Sequence, residues 1–210
     1  MLLGVFSVFL FVATSSVAAA DQTPTARAQA PNRELIDRFS HDLGRLSEMD
    51  AFMAGKGAIV SGLNQATPIQ SGGRTTWISP VRIYYKHLGN SYCRLAVMRQ
   101  GSLGSALAPL PVGALYDSCK EVQGQWLVNA NGNGLIDIAH AVRIQSNRDA
   151  TYVTESMVYL ANDSSTSGYC YSSKASQQLT PEYIRSSESI TEALMIARTR
   201  LGLLRFECDK

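Results

Sequence analysis

What the chain has little of sorts many of the possibilities. Charge is sparse, 17% of 210 residues, and almost balanced at a formal +2. No run of Lys or Arg and no basic helical face appears, so nucleic acid is not expected as a partner, because phosphate binding relies on clustered cations. Only three His are present, His41, His87 and His140. None sits in the HExxH spacing that turns two imidazoles onto one helical face to hold zinc. The four Cys form no CxxC pair, which removes the common zinc and thioredoxin-like signatures. Gly72-Gly73 lacks the following Lys and Ser/Thr of a phosphate-cradling loop. Gly101-Ser102-Leu103-Gly104-Ser105 has the wrong order for a serine-nucleophile elbow.

Leu2–Val12 is an apolar run broken only by Gly4 and Ser7, and Ala18-Ala19-Ala20 offers a small-residue cleavage site before Asp21. This resembles a secretory signal peptide over residues 1–20, although no Lys or Arg precedes the run. The run is shorter than the ~20 residues of a comfortable membrane span. No second long apolar stretch follows, so no stable membrane span is expected once the signal is removed. Asp21–Pro31 is polar, carries two Pro and reads as a flexible lead. Residues 32–210 read as a single globular domain with enough apolar content to bury a core. The even count of Cys93, Cys119, Cys170 and Cys208, all beyond the signal, fits the oxidising environment of the periplasm or the cell exterior. Of the three pairings, the chain-order one, Cys93–Cys119 with Cys170–Cys208, is favoured. Each bridge contributes roughly 3–4 kcal/mol by restricting the unfolded chain.

The fold class expected is α+β: a mainly antiparallel β meander, flanked by an N-terminal and a C-terminal helix and tied by disulfides. Leu35, Ile36, Phe39, Leu43, Leu46 and Met53 recur at helical spacing after a capping Asn32, with Gly55 and Gly57 ending the helix. Ala58–Leu63 is too short to classify, and Asn64–Arg74, with Pro68 and the Gly pair, reads as loop. Trp77–Tyr85 and Tyr92–Arg99 alternate as the two strands of a hairpin, with His87 in the turn. Gly101–Gly113 reads as a surface loop. Ala114–Cys119 and Glu121–Val128 follow as two short strands, then Ile136–Ile144 and Thr151–Leu160. Asn162–Gln178 is polar and Ser-rich, expected to be mobile or a contact surface. Its Asn162-Asp163-Ser164 also fits a glycosylation acceptor in a eukaryotic secretory route. Thr180-Pro181 opens a second helix with Tyr183, Ile190, Leu194, Ala197 and Leu201 as its apolar stripe, ended by Gly202, and Leu203–Phe206 adds a short strand.

Gln125–Ile144 is the one stretch with the look of a site: an apolar strand, an Asn/Gly-rich loop and a second apolar strand. Counted as a calcium loop, Asn129, Asn131, Asn133 and Asp137 place oxygens at alternate positions, with Gly134 sixth and Ile136 eighth. The first position is a neutral Asn, however, and His140 takes the twelfth, where calcium needs a bidentate carboxylate. A tight turn explains the same residues, since Asn-Gly pairs supply positive φ. His140 shares a face with Ile136, Ile138, Val142 and Ile144, which suits a buried structural His. Asp137 and Glu155 fall on adjacent strands and are expected near each other.

The chain is therefore expected to be an exported, periplasmic or secreted, non-enzymatic binding protein whose partner is another exported protein, in concrete form an inhibitor or immunity-type protein. Two alternatives remain: a small secreted hydrolase using Asp137, Glu155 and His140, and a module stabilised by calcium in the Asn129–Asp137 loop. No other cofactor is expected.

Overall fold

The computed structural model describes residues 33–50, 58–71, 74–86, 88–99, 104–109, 117–146, 149–179 and 189–209. Residues 1–20, the lead 21–31, Met53, Gly55, Gly57, His87, the helix opening expected at Thr180-Pro181 and Tyr183 lie outside them.

Helix α1, Arg33–Asp50, follows the expected period. It turns Phe39 and Leu43 fully inward, with Leu35 and Ile36 packed beside them. Strands β1 (Ala58–Ser61), β2 (Thr67–Ser71), β3 (Arg74–Tyr85), β4 (Asn90–Arg99) and β5 (Ser105–Leu107) form one antiparallel sheet. Strands β6 (Asp117–Val128), β7 (Asp137–Ser146), β8 (Tyr152–Ala161) and β9 (Tyr169–Tyr171) form a second, meandering antiparallel sheet. A single helical turn, α2 (Ser173–Ser176), and helix α3 (Ile190–Arg200) complete the chain. The architecture is thus α+β, with a β meander, terminal helices and two disulfides.

Three apolar clusters define four layers. Between α1 and the first sheet lie Phe39, Leu43, Trp77, Val81, Ile83 and Met98. Between the sheets lie Ile78, Leu95 and Val97 from β3 and β4 against Ile138, Val142 and Tyr159 from β7 and β8. Beyond the second sheet, Ala139, Ala141, Val158 and Leu160 meet Ile190, Leu194 and Phe206. Residues of opposite parity along β4 and β7 therefore face two different cores. Both central strands are buried on both sides, which is unusual for antiparallel strands.

The segment Asn64–Arg74 is not simply a loop. Thr67–Ser71 pairs with β3 from Thr67↔Ile78 to Ser71↔Arg74. Pro68 is tolerated because β2 is an edge strand, where a missing N–H costs no ladder bond. Strands β1 and β2 lie end to end along β3, and Gly62 makes the step between them at φ 104°. A Cβ there would stand 2.5 Å from the Pro80 carbonyl oxygen, so the close approach itself requires glycine. The Gly101–Gly113 stretch contains strand β5, which pairs with β4. The two short strands expected at Ala114–Cys119 and Glu121–Val128 give way to the single strand β6, which runs through two bulges, at Cys119/Glu121 and Val122/Gly124. Each bulge slips the side-chain period by one, which is what hides continuity from a period-two pattern. Leu203–Phe206 is not a strand, although Phe206 is buried.

The Ser-rich segment is ordered, because its hydroxyls satisfy backbone groups. Ser176 Oγ accepts from Val158 N at 2.8 Å and donates to Ser172 O at 2.7 Å, while Ser172 caps α2. Asn162 Nδ2 reaches Cys208 Sγ at 3.4 Å, so the acceptor-like tripeptide is part of this packing. Helix α3 is capped by Ser189, whose Oγ accepts from Glu192 N at 3.1 Å. Ile190, Ala193 and Leu194 are its buried residues, whereas Leu201 is exposed.

The disulfides join Cys93 to Cys119 and Cys170 to Cys208. The first crosses between the sheets, from β4 to β6; the second ties β9 to the C-terminal tail. They are consistent with an oxidising compartment. No described helix is long and apolar enough to cross a membrane. Cys93–Cys119 closes a separation of 26 residues. Replacing both with Ala should therefore cost about 3 kcal/mol or more, since chain closure alone accounts for that amount and the pair is also core packing. Urea unfolding under non-reducing conditions checks this, and an unchanged midpoint would refute the importance of the inter-sheet bridge.

Candidate functional site

The Asn/Gly loop between β6 and β7 is built from the outside in by its own side chains. Asn129 Oδ1 accepts from Asn133 N at 3.0 Å, and Asn133 Oδ1 accepts from Leu135 N at 3.0 Å. Gly132 and Gly134 take φ values of 66° and 78°. Asn131 points the other way, toward the C-terminal tail. Its Oδ1 accepts from Phe206 N at 2.7 Å and its Nδ2 donates to Phe206 O at 3.2 Å, so one amide side chain reproduces a pair of strand hydrogen bonds. Helix α3 closes the loop from the side. Thr191 Oγ1 accepts from Asn129 N at 3.2 Å, and the Arg198 guanidinium donates to Asn131 O.

Asp137 anchors the base. Its Oδ2 accepts from Ala130 N at 2.9 Å and its Oδ1 from Ala161 N at 2.8 Å, joining the loop to the end of β8. Desolvation by burial pushes the carboxyl up to about 6, against the opposing pull of the N–H groups of Ala161, Ala130 and Asn131. The four side chains of the calcium pattern, Asn129, Asn131, Asn133 and Asp137, thus each commit oxygens to backbone N–H donors. An entering cation would have to compete with those donors. Among the described residues, no group of three or more His, Cys, Asp or Glu gathers where it could hold a metal.

His140 lies in the inter-sheet core with no exposed surface. Its Nε2 is 3.0 Å from Gln125 Oε1, and Gln125 Nε2 donates to Thr67 Oγ1 at 3.0 Å, so a polar thread runs from the edge of the first sheet to the middle of the second. Its ring stands 5.6 Å from that of Tyr159, and Nδ1 has no hydrogen-bond partner among the described residues. Burial lowers its pKa to about 3, which keeps the imidazole neutral.

The three residues of the hydrolase alternative do not converge. Glu155 is opposite Val142 in the β7–β8 register, five positions along β7 from Asp137, or roughly 17 Å at the strand rise. Glu155 is exposed, whereas Asp137 and His140 are buried and, three positions apart on one strand, face opposite sides of the sheet. The expected proximity of Asp137 and Glu155 fails because adjacency of strands says nothing about register. Sequence reasoning missed Thr191, Arg198 and Phe206 as partners of the loop. Nothing local in the sequence signals them, since they come from more than 60 positions away. No family model matches the chain, and no curated protein or solved structure was found to be similar to it.

Two expectations follow. Thermal melting with and without millimolar calcium should coincide; a rise of several degrees with calcium would show a folded-state ion site. The second concerns pH. Asp137 titrates near 6 in the fold against an ordinary 3.8, so the folded state holds a proton that the unfolded chain has lost, and stability falls as pH rises through that window. His140 titrates near 3 against an ordinary 6.5, so the unfolded chain takes up a proton first, and stability falls as pH drops below 6.5. Between about pH 4 and 6 the two slopes, each at most about 1.4 kcal/mol per pH unit, oppose one another. In urea unfolding across that range, Asp137→Asn should make the protein lose stability on acidification relative to wild type. His140→Gln should make it gain. Slopes identical to wild type in both variants would refute the assignment.

Proposed function

We propose that this protein is an exported binding protein, working in the periplasm or outside the cell, which recognises another exported protein and blocks it as an inhibitor or immunity-type protein. The observation that supports this most is the Asn129–Asp137 loop. Its polar side chains turn back onto the chain, while Leu135 and Ile136, on the limb that leads from the turn into β7, stay 48% and 39% exposed. Two adjacent aliphatic residues held in place without polar cover are suited to entering a pocket. A rigid loop loses little conformational entropy on binding, so more of the contact energy appears as affinity. The disulfide between the sheets supports the same reading, because it stiffens the platform from which the loop projects.

The test is recovery from the native source under gentle, low-salt conditions, followed by reconstitution with whatever exported protein accompanies it. Leu135→Ser with Ile136→Ser should weaken that complex by about 100-fold, the scale of two central anchor residues. The unfolding midpoint should change little. Protein that is always recovered alone, or a complex indifferent to both changes, would overturn the proposal.

A further inference from the structure

Helix α3 is fixed on two sides. Ile190, Ala193 and Leu194 are buried against the second sheet, and Arg198 holds the Asn/Gly loop. Its outward side carries Glu192, Met195, Ile196, Thr199 and Arg200, all exposed, with Ile196 at 47% and Met195 at 39%. These residues line a shallow groove whose surface is mostly apolar. Glu192 and Arg200 form no ion pair with any described residue. Glu192, Ile196 and Arg200 are spaced four apart and make one continuous ridge along the helix. The ridge has an acid at one end, a β-branched aliphatic in the middle and a base at the other end.

That order is self-complementary. A two-fold axis at Ile196 relates position 192 to position 200, so an antiparallel copy brings each Glu192 to the other chain's Arg200 and each Ile196 to its counterpart. Met195 then flanks the centre. A parallel arrangement would set like charges against each other at both ends. Two such ridges packed together give the commonest helix–helix crossing in globular proteins. Closed two-fold pairing is also the commonest symmetry of homo-oligomers. We propose that the outward face of α3 is a self-association surface whose occupant is a second copy of this chain, packed antiparallel about Ile196. One helical face offers less contact than a standard-size interface, so the dimer is weak and forms only at high protein concentration. The two ion pairs set orientation more than affinity.

Sedimentation equilibrium of the intact disulfide-bonded protein, from about 1 to 500 μM, should show a monomer–dimer equilibrium in that range. Glu192→Arg and Arg200→Glu should each weaken it at least about tenfold, because each homodimer then carries two like-charge contacts. An equimolar mixture of the two variants should recover the dimer, since the charges are again matched across the axis. Circular dichroism of each variant verifies that it is folded. Ile196→Cys should form an intermolecular disulfide on oxidation, all four native cysteines being already paired. A monomer at every concentration, a dimer unaffected by either reversal, or a mixture that fails to recover would each overturn the proposal.

Discussion

The fold depends on the apolar layer between the two sheets. Ile78, Leu95 and Val97 on one side meet Ile138, Val142 and Tyr159 on the other, and the Cys93–Cys119 bridge crosses the same layer. Each sheet also needs cover on its far side, because its central strand is apolar on both faces. Helix α1 supplies that cover for the first sheet, and α3 with the C-terminal tail supplies it for the second. Removing either outer layer would expose a row of aliphatic side chains, so the terminal helices are structural requirements of the sandwich rather than appendages to it. Buried polar groups are accommodated where strands end or slip. Ser91 Oγ donates to Cys119 O beside the bulged part of β6, and Arg94 donates to Ala108 O as the chain leaves β5. An unsatisfied carbonyl in either place would cost about as much as a lost hydrogen bond, or roughly 1–3 kcal/mol.

The strands were legible where one face had a simple alternation. Val81, Ile83 and Tyr85 on β3, and Cys93, Leu95 and Val97 on β4, fall on the faces their spacing indicates. The long β-hairpin and the α1 stripe were legible for the same reason. The rest was lost through features that local pattern does not carry. Strand β6 looked like two strands because its two bulges reset the period. Strand β2 looked like loop because Pro68 is disfavoured in strands generally and only its edge position excuses it. The segment Asn162–Gln178 reads as mobile or as a contact surface because Ser is a poor core former. Its hydroxyls in fact replace main-chain partners that only the folded arrangement brings near.

The candidate site illustrates the same limit. A row of oxygens at alternate positions is what a chain needs in order to wrap a cation, and equally what it needs in order to collect its own N–H groups in a tight reversal. Composition cannot separate the two, because the ligand atoms are the same. The distinction lies in what the oxygens face. Here Asn129 and Asn133 face the loop, Asn131 faces Phe206 and Asp137 faces Ala130 and Ala161. The loop is thereby bound into three distant parts of the chain, and its rigidity is a tertiary property invisible in its own twenty or so neighbours.

Asp137 and His140 show how the central strand β7 manages two ionisable groups inside a dry layer. The carboxyl is given the N–H groups of Ala161, Ala130 and Asn131 yet still titrates above its ordinary range, so burial outweighs the hydrogen bonds. The imidazole meets Gln125 and stays neutral throughout the physiological range. Neither has an opposite charge placed against it by an ion pair in the described residues. A catalytic pair would be tuned toward a shared substrate; these two are held apart on opposite faces of one strand, each bonded to a structural neighbour. Their pKa shifts have opposite effects on stability, so the core tolerates both charges-in-waiting over a broad acidic range. Opposed shifts on one strand therefore cancel in part, and the central layer keeps a nearly level stability where either group alone would tilt it.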